Sequence, residues 1–380
     1  MRTGTRNLFL ATTSAIALGT VAMSSALAAE RLVLEDGRTV VLKDDGSYEF
    51  VQKATEDAPK VGNVEPLGAK MVAVPAAMSG KRTISGHAPL YFGLDISDHG
   101  TDGASTDELW PFAGGAVRVD LPFNIDSLPT DSMSLQLDVI GESEFLSSGS
   151  TDSQELGYTG QAVLGAHLNY RKMNEYLFGM FAAGGKAFVD DIELSDSEGM
   201  DNNLMAVGFE GQLYFDDLLP GNLTAYAQTG FVHTWKYESS SQVESGFKHG
   251  WFVRMVGRYF EDFGGAGGPS KGEVEIGFSQ GRTDHNDFTG SVINWGFEVE
   301  HPFYSYGPSD GYVSAFVRYD GRYFFTSDSS GTDFPDNRFL IGVKLALNEM
   351  NLLDRDRAGA TLDLPDFGRT TVGVWQTNEQ

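Results

Sequence analysis

A chain of 380 residues with no cysteine and a formal net charge of -26 excludes a disulfide framework, a thiol nucleophile and any cysteine-held metal. Its acidity repels nucleic acid, and repels anionic head groups except through metal ions, so a nucleic-acid partner is excluded. The length suits one large β domain or two ordinary ones.

Residues 1–29 have the layout of a cleavable secretory signal: Arg2 and Arg6, an apolar run from Leu8 to Met23, then the small-residue box Ala26-Leu27-Ala28. That segment carries no acid, so its removal leaves the exported chain more acidic still. No later apolar run approaches the roughly 20 residues a spanning helix needs, and a membrane would have to be crossed by strands. Residues 30–51, within which RLVLEDGRTVVLKDDGSYEFV places turn signals at Asp36-Gly37 and Asp45-Gly46, read as a small periplasmic β meander. Residues 52–86, rich in Ala, Pro, Gly and Val without a sustained period, read as a linker.

From His87 to Leu347 the apolar residues alternate in one segment after another. Gly160 to Val189 shows the unit: Ala162, Leu164, Ala166, Leu168 and Tyr170 share one face, and after Met173-Asn174 the alternation resumes through Tyr176, Phe178, Met180 and Ala182. The same pattern gives twelve strands. Their outward faces include Leu90, Phe92 and Leu94 at the start, Met205, Val207 and Phe209 in the middle, and Phe339, Ile341, Val343 and Leu345 at the end. An even number closes a barrel with both ends on one side. Short turns alternate with longer polar connections, as periplasmic turns alternate with outer loops; Glu261 to Gly272, long and Gly-rich, is the one misfit.

A soluble sandwich would also alternate. Segments of about ten residues and aromatics gathered at segment ends, among them Tyr170, Tyr176, Phe215, Trp235 and Tyr259, favour a closed antiparallel up-and-down transmembrane β-barrel, all-β in class. On these features residues 87–347 resemble the outer-membrane β-barrels of Gram-negative bacteria, in particular porin-like proteins of about twelve strands. The chain departs from them at its end. Instead of closing on an aromatic residue it continues as NEMNLLDRDRAGATLDLPDFGRTTVGVWQTNEQ, and residues 348–380 are expected to hang in the periplasm.

The wet faces carry Asp95, Arg118, Asp120, Asp138, His167, Glu210, Arg254, Arg258, Glu273, Glu275, Glu298, Glu300, Arg318, Asp320, Arg322, Arg338 and Lys344. Lipid would not tolerate them, so parity sends them into the lumen as candidate pore-lining residues. Basic and acidic members fall on neighbouring strands, so two readings stand. One is a narrow water-filled pore passing small polar solutes; the other is a structural or interaction barrel whose lumen is filled by ion pairs and which anchors the envelope. Strands four and five carry small inward residues, Gly165, Gly179, Ala183 and Gly185, and any open space is expected along that wall.

The outer loops are strongly acidic, with only Lys236 and Arg282 in opposition, and could hold divalent cations against lipopolysaccharide phosphates. Two loop clusters, SDHGTD around His99 and TDHND around His285, place histidine between carboxylates without further catalytic partners. The pattern therefore points to no enzyme, cofactor or resident metal.

Overall fold

The computed structural model describes residues 31–33, 39–42, 48–51, 84–98, 107–123, 133–147, 156–191, 200–216, 221–236, 247–263, 268–282, 289–307, 311–326 and 333–376. The secretory signal, the linker up to residue 83, and the loop clusters around His99 and His285 lie outside these residues. The chain divides into two compact units, Met1–Gly68 and Ala69–Gln380. In the first, β1 (Arg31–Val33), β2 (Thr39–Leu42) and β3 (Tyr48–Val51) pair in the order β1-β2-β3 as an antiparallel sheet. The sequence meander is this sheet.

The second unit is a closed barrel of twelve strands: β4 (Ser85–Asp98), β5 (Asp107–Phe123), β6 (Met133–Ser147), β7 (Leu156–Lys172), β8 (Tyr176–Asp191), β9 (Met200–Phe215), β10 (Asn222–Lys236), β11 (His249–Glu261), β12 (Ser270–Arg282), β13 (Thr289–Gly307), β14 (Gly311–Thr326) and β15 (Phe334–Leu347). Every neighbour pairs antiparallel, and β15 closes on β4 with Val343 opposite Leu90. The β7–β8 hairpin turns at Asn174, whose φ of 58° lies in the left-handed region that asparagine tolerates. The misfit connection of the sequence reading is shorter than it looked, because β11 runs to Glu261 and β12 begins at Ser270. Register is thereby kept, and Arg258 faces Glu273 across it.

Closure matters because a strand edge in lipid would leave its amides and carbonyls without partners. The outward face fits that solvent. Phe92, Phe209 and Phe231 are 62%, 67% and 70% exposed, and every other strand of the barrel likewise exposes large apolar side chains. An apolar band of this extent around the barrel is a lipid-facing surface. Aromatic pairs edge it: Tyr170 with Tyr176 beside the β7–β8 turn, and Trp251, Phe278 and Phe325 in sequence toward the opposite end. No helix among the described residues is long and apolar enough to cross a membrane.

The core lies inside the barrel, and the C-terminal segment is part of it. After Leu347, Asn348 adopts a φ of 56° and its side-chain amide donates to the Ile84 carbonyl, tying the end of β15 to the start of β4. The chain then turns inward as α1 (Leu352–Ala358) and α2 (Phe367–Gln376). Asn351 caps α1 by accepting from the Asp354 amide at 2.9 Å. Leu352 and Leu353 pack with Phe260, Tyr312 and Ala346; Leu362 packs with Leu177, Tyr226 and Val256; Leu364 and Phe367 join Val163, Phe181, Phe252 and Leu204.

This corrects the expectation of a tail hanging in the periplasm. The physical reason is in the tail itself: five large apolar side chains would face water there, and the lumen offers a partly apolar wall with room for them. The small inward residues of β7 and β8 supply that room, so the space expected along this wall is occupied by the chain's own end. Gly165 lies against Leu364, and α2 packs on β7 and β8.

Candidate functional site in the lumen

The lumen wall and the inserted segment form one polar network, which can be followed from the short-turn end of the barrel, where β4 starts and β15 ends. Near that end Arg355 donates to both oxygens of Glu300 at 3.0 and 2.7 Å. Glu300 also accepts from Ser314 at 2.6 Å and Lys344 at 2.8 Å. Lys344 and Lys271 share Glu298 at 2.6 and 2.8 Å. Arg258 bridges Glu273 at 3.0 Å and the tail's Asp356 at 3.2 Å, and Asp356 accepts further from Gln212 and Thr224.

Midway, Gln136 pairs with the Leu362 peptide as a strand would, donating to its carbonyl at 2.6 Å and accepting from its amide at 3.1 Å. Arg254 holds Asp363 at 2.7 Å and Glu275 at 2.8 Å, while Arg318 holds Asp320 at 2.7 Å and reaches Glu275 at 3.3 Å. His167, fully buried, stands between Glu210 at 2.9 Å and Asp138 at 3.5 Å. Tyr226 and Gln228 also donate to Glu210, at 2.9 and 3.2 Å. Asp138, His167, Glu210 and Tyr226 thereby tie β6, β7, β9 and β10 together, with Tyr226 packed against Leu362.

Toward the long-loop end Arg322 holds Asp366 at 2.8 Å, and the Gln161 side chain both donates to Asp366 and accepts from the Gly368 amide. Arg369 donates through Nε to Asp336 at 2.7 Å. Arg338 gathers Asp95, Glu142 and Glu144 around one guanidinium.

The residues that parity sent inward therefore do point into the barrel, but they do not all share one space. Asp95 and Arg338 belong to the cluster near α2; Asp138, His167 and Glu210 lie beneath Leu362; Asp120 is fully buried in the β5 wall. Glu300 is sealed under Arg355. The remaining ones, Arg118, Arg254, Arg258, Glu273, Glu275, Glu298, Arg318, Asp320, Arg322 and Lys344, line a single polar cavity of about 200 Å³ beside the tail. Parity missed Glu142, Glu144 and Asp336, which lie just beyond the segment ends assigned from apolar periodicity. Nor did it assign the tail's Arg355, Asp356, Asp363, Asp366 and Arg369. The alternating charges of Asp354 to Arg357 were the available signal, complementary to a wall rich in both signs.

Outside the strands, burial sets the ionisation of the tail. It pushes the Glu349 carboxyl well above the usual carboxylate range, despite the opposing pull of Arg355 and the Ala360 amide. Burial also works against ionised Asp363 and Asp366, but there the cations win. Arg254 and Arg258 hold Asp363 below the usual range, and Arg322 and Arg369 bring Asp366 down to about 2.

No protein-family model matches the sequence, and no curated protein matches it. Among solved structures, the chain is similar to an outer-membrane channel from Pseudomonas putida F1 at 13% identity, with 70% of this chain and 96% of that one covered and a TM-score of 0.45. It is similar to the β domain of the Bordetella autotransporter BrkA at 11% identity, 69% and 98% coverage and a TM-score of 0.39. The translocator domain of the autotransporter NalP from Neisseria meningitidis gives 13%, 71% and 90%, and 0.38. Closure through β15 and β4 and the continuous apolar band make this chain a closed twelve-stranded transmembrane β-barrel.

Proposed function

We propose that the protein is a narrow outer-membrane channel for passive diffusion of small polar solutes, its lumen constricted by its own C-terminal segment. The observation that carries this reading is the cavity beside the tail. Its lining runs from Lys271 and Lys344, near the short-turn ends of β12 and β15, to Arg322 and Thr370, toward the long-loop end. Facing basic and acidic side chains along a water-sized path orient and pass polar solutes in channels generally. Planar-bilayer recording of the refolded protein tests this: discrete conductance steps are expected, and their complete absence would remove the channel.

A second reading draws on the density of the ion-pair network, which suits a structural barrel with a filled lumen that anchors the envelope. The same recording separates the two. The acidic outer loops are further proposed to hold divalent cations against lipopolysaccharide phosphates. Unchanged thermal stability in lipopolysaccharide after chelation would count against that bridge.

A further inference from the structure

The cavity's charges are almost all matched, and the exception is specific. Each carboxylate on its lining is engaged by an arginine or lysine: Glu142 by Arg338, Glu275 by Arg254, Glu298 by Lys344 and Lys271, Asp366 by Arg322. Among the described residues the lining cations have hydrogen-bonded carboxylates in return, except Arg118. Its nearest is Asp138, 3.4 Å from Nε, which makes no hydrogen bond there, and Asp138 already accepts from Gln136 at 2.7 Å and faces His167. A surplus of donors is left at this point of the wall.

His87, directly opposite Arg118 in the β4–β5 register, adds to that surplus. Arg118 Nη1 lies 3.3 Å from His87 Nε2. A guanidinium can only donate, so Nε2 accepts and the ring proton sits on Nδ1. Among the described residues Nδ1 has no hydrogen-bond partner; that atom is closed off from solvent, while His87 as a whole is 6% exposed and lines the cavity. A buried N–H without an acceptor is costly unless something supplies one. Two residues further along the same strands the lining turns apolar, with Pro89 on β4, Ala116 on β5 and, opposite Ala116, Ile140 on β6.

We infer that this cavity holds a binding site for a small organic monocarboxylate, its carboxylate on the Arg118 guanidinium beside His87 and its apolar body against Pro89, Ala116 and Ile140. Guanidinium and carboxylate match as planar forks, and the low-dielectric wall strengthens the contact. The site selects anions although the chain as a whole is strongly acidic, because the lumen's own carboxylates are neutralised in place. As a statement about the transported solute it rests on the channel reading; as a binding site it does not.

Calorimetric titration of the full-length protein in detergent with benzoate, and with benzamide as its neutral counterpart, tests the inference. Saturable benzoate binding with no benzamide binding is expected. Arg118→Gln should weaken benzoate roughly tenfold or more, and Arg118→Lys, which keeps the charge but not the fork, should fall between. Ala116→Trp, which leaves Arg118 intact and fills the apolar step, should also abolish binding. Absent binding to the unaltered protein, equal binding of the two probes, or undiminished benzoate binding in folded Arg118→Gln and Ala116→Trp would overturn the site. Benzoate binding that depends on Arg118 in a protein giving no conductance steps would retain the site and remove only the channel.

Discussion

Gly165 on β7 lies directly against the side chain of Leu364 in the inserted C-terminal segment, with no room even for a methyl group between them. The small-residue wall of β7 and β8 is thus a seat for the tail and not a path for solute. Gly165→Phe should therefore push Leu364 off the wall at about 1–3 kcal/mol of overpacking, while the outward band and the strand ladders keep the barrel closed. Trypsin should then cut more readily at Arg355, Arg357 and Arg369, and conductance should rise. A fall in conductance with the tail still protected would return the solute path to this wall.

Stopping the chain after Asn348 carries the same idea further. Much of the wall keeps its own pairs, because Arg254 keeps Glu275 and Arg258 keeps Glu273 when Asp363 and Asp356 are gone, while Arg322 and Asp336 lose Asp366 and Arg369 and pass to water in the opened lumen. Water can replace the apolar tail contacts. The truncated protein should refold as a barrel with heat-modifiable gel mobility and conduct several-fold more than the full chain. Equal conductance from both would show that the tail does not constrict the lumen.

Tail docking should have a pH optimum with two limits set by different carboxyls. Asp366, held down to about 2 against an ordinary value of 3.8, supports docking fully above pH 3.8 and loses that support as pH falls toward 2; Asp363 acts in the same direction. Glu349 acts in the opposite sense. Its carboxyl is raised above 4.5, so its contribution is complete below that pH and disappears as pH rises through the raised value. Protease protection of the tail across pH reads both limits. Asp366→Asn should weaken docking at neutral pH and flatten the acid limit, and Glu349→Gln should extend protection on the alkaline side. If Glu349→Gln left the alkaline limit where it was, that group would not be its cause.

The barrel was legible because alternation sends Phe92 and Asp95 to opposite faces, and segments of about ten residues edged by aromatics fit strands that cross lipid better than strands of a soluble sandwich. Strand order then followed from hairpin connectivity. The tail's place was not legible in the same way. Leu352, Leu362, Leu364 and Phe367 follow no single period that names a partner, since they pack against three separate clusters on strands distant in sequence. Parity gave the direction of Arg118 and Glu300 but not what each would face. Whether Glu300 borders solvent or lies under Arg355 depends on the tail, and the tail's address depends on volume left by Gly165 and its neighbours.

The Arg355–Glu300 pair allows the two kinds of role to be separated by energy. Glu300 serves Arg355, Lys344 and, at 3.4 Å, Lys271, and it accepts from Ser314; Arg355 has Glu300 as its hydrogen-bonded carboxylate. Removing the acid leaves buried cations short of a counter-charge, whereas removing the arginine leaves an acid that still has two lysines. Glu300→Gln should therefore cost about 3–5 kcal/mol, the range for stranding a buried charge. Arg355→Met, which keeps the apolar stem against Tyr312, should cost distinctly less and mainly loosen the tail. The double variant should be more stable than Glu300→Gln alone, because one of the stranded cations is gone. Urea unfolding of the refolded protein in lipid vesicles measures all three. An Arg355→Met cost equal to or above that of Glu300→Gln would place the energetic centre of the network on the tail instead of the wall.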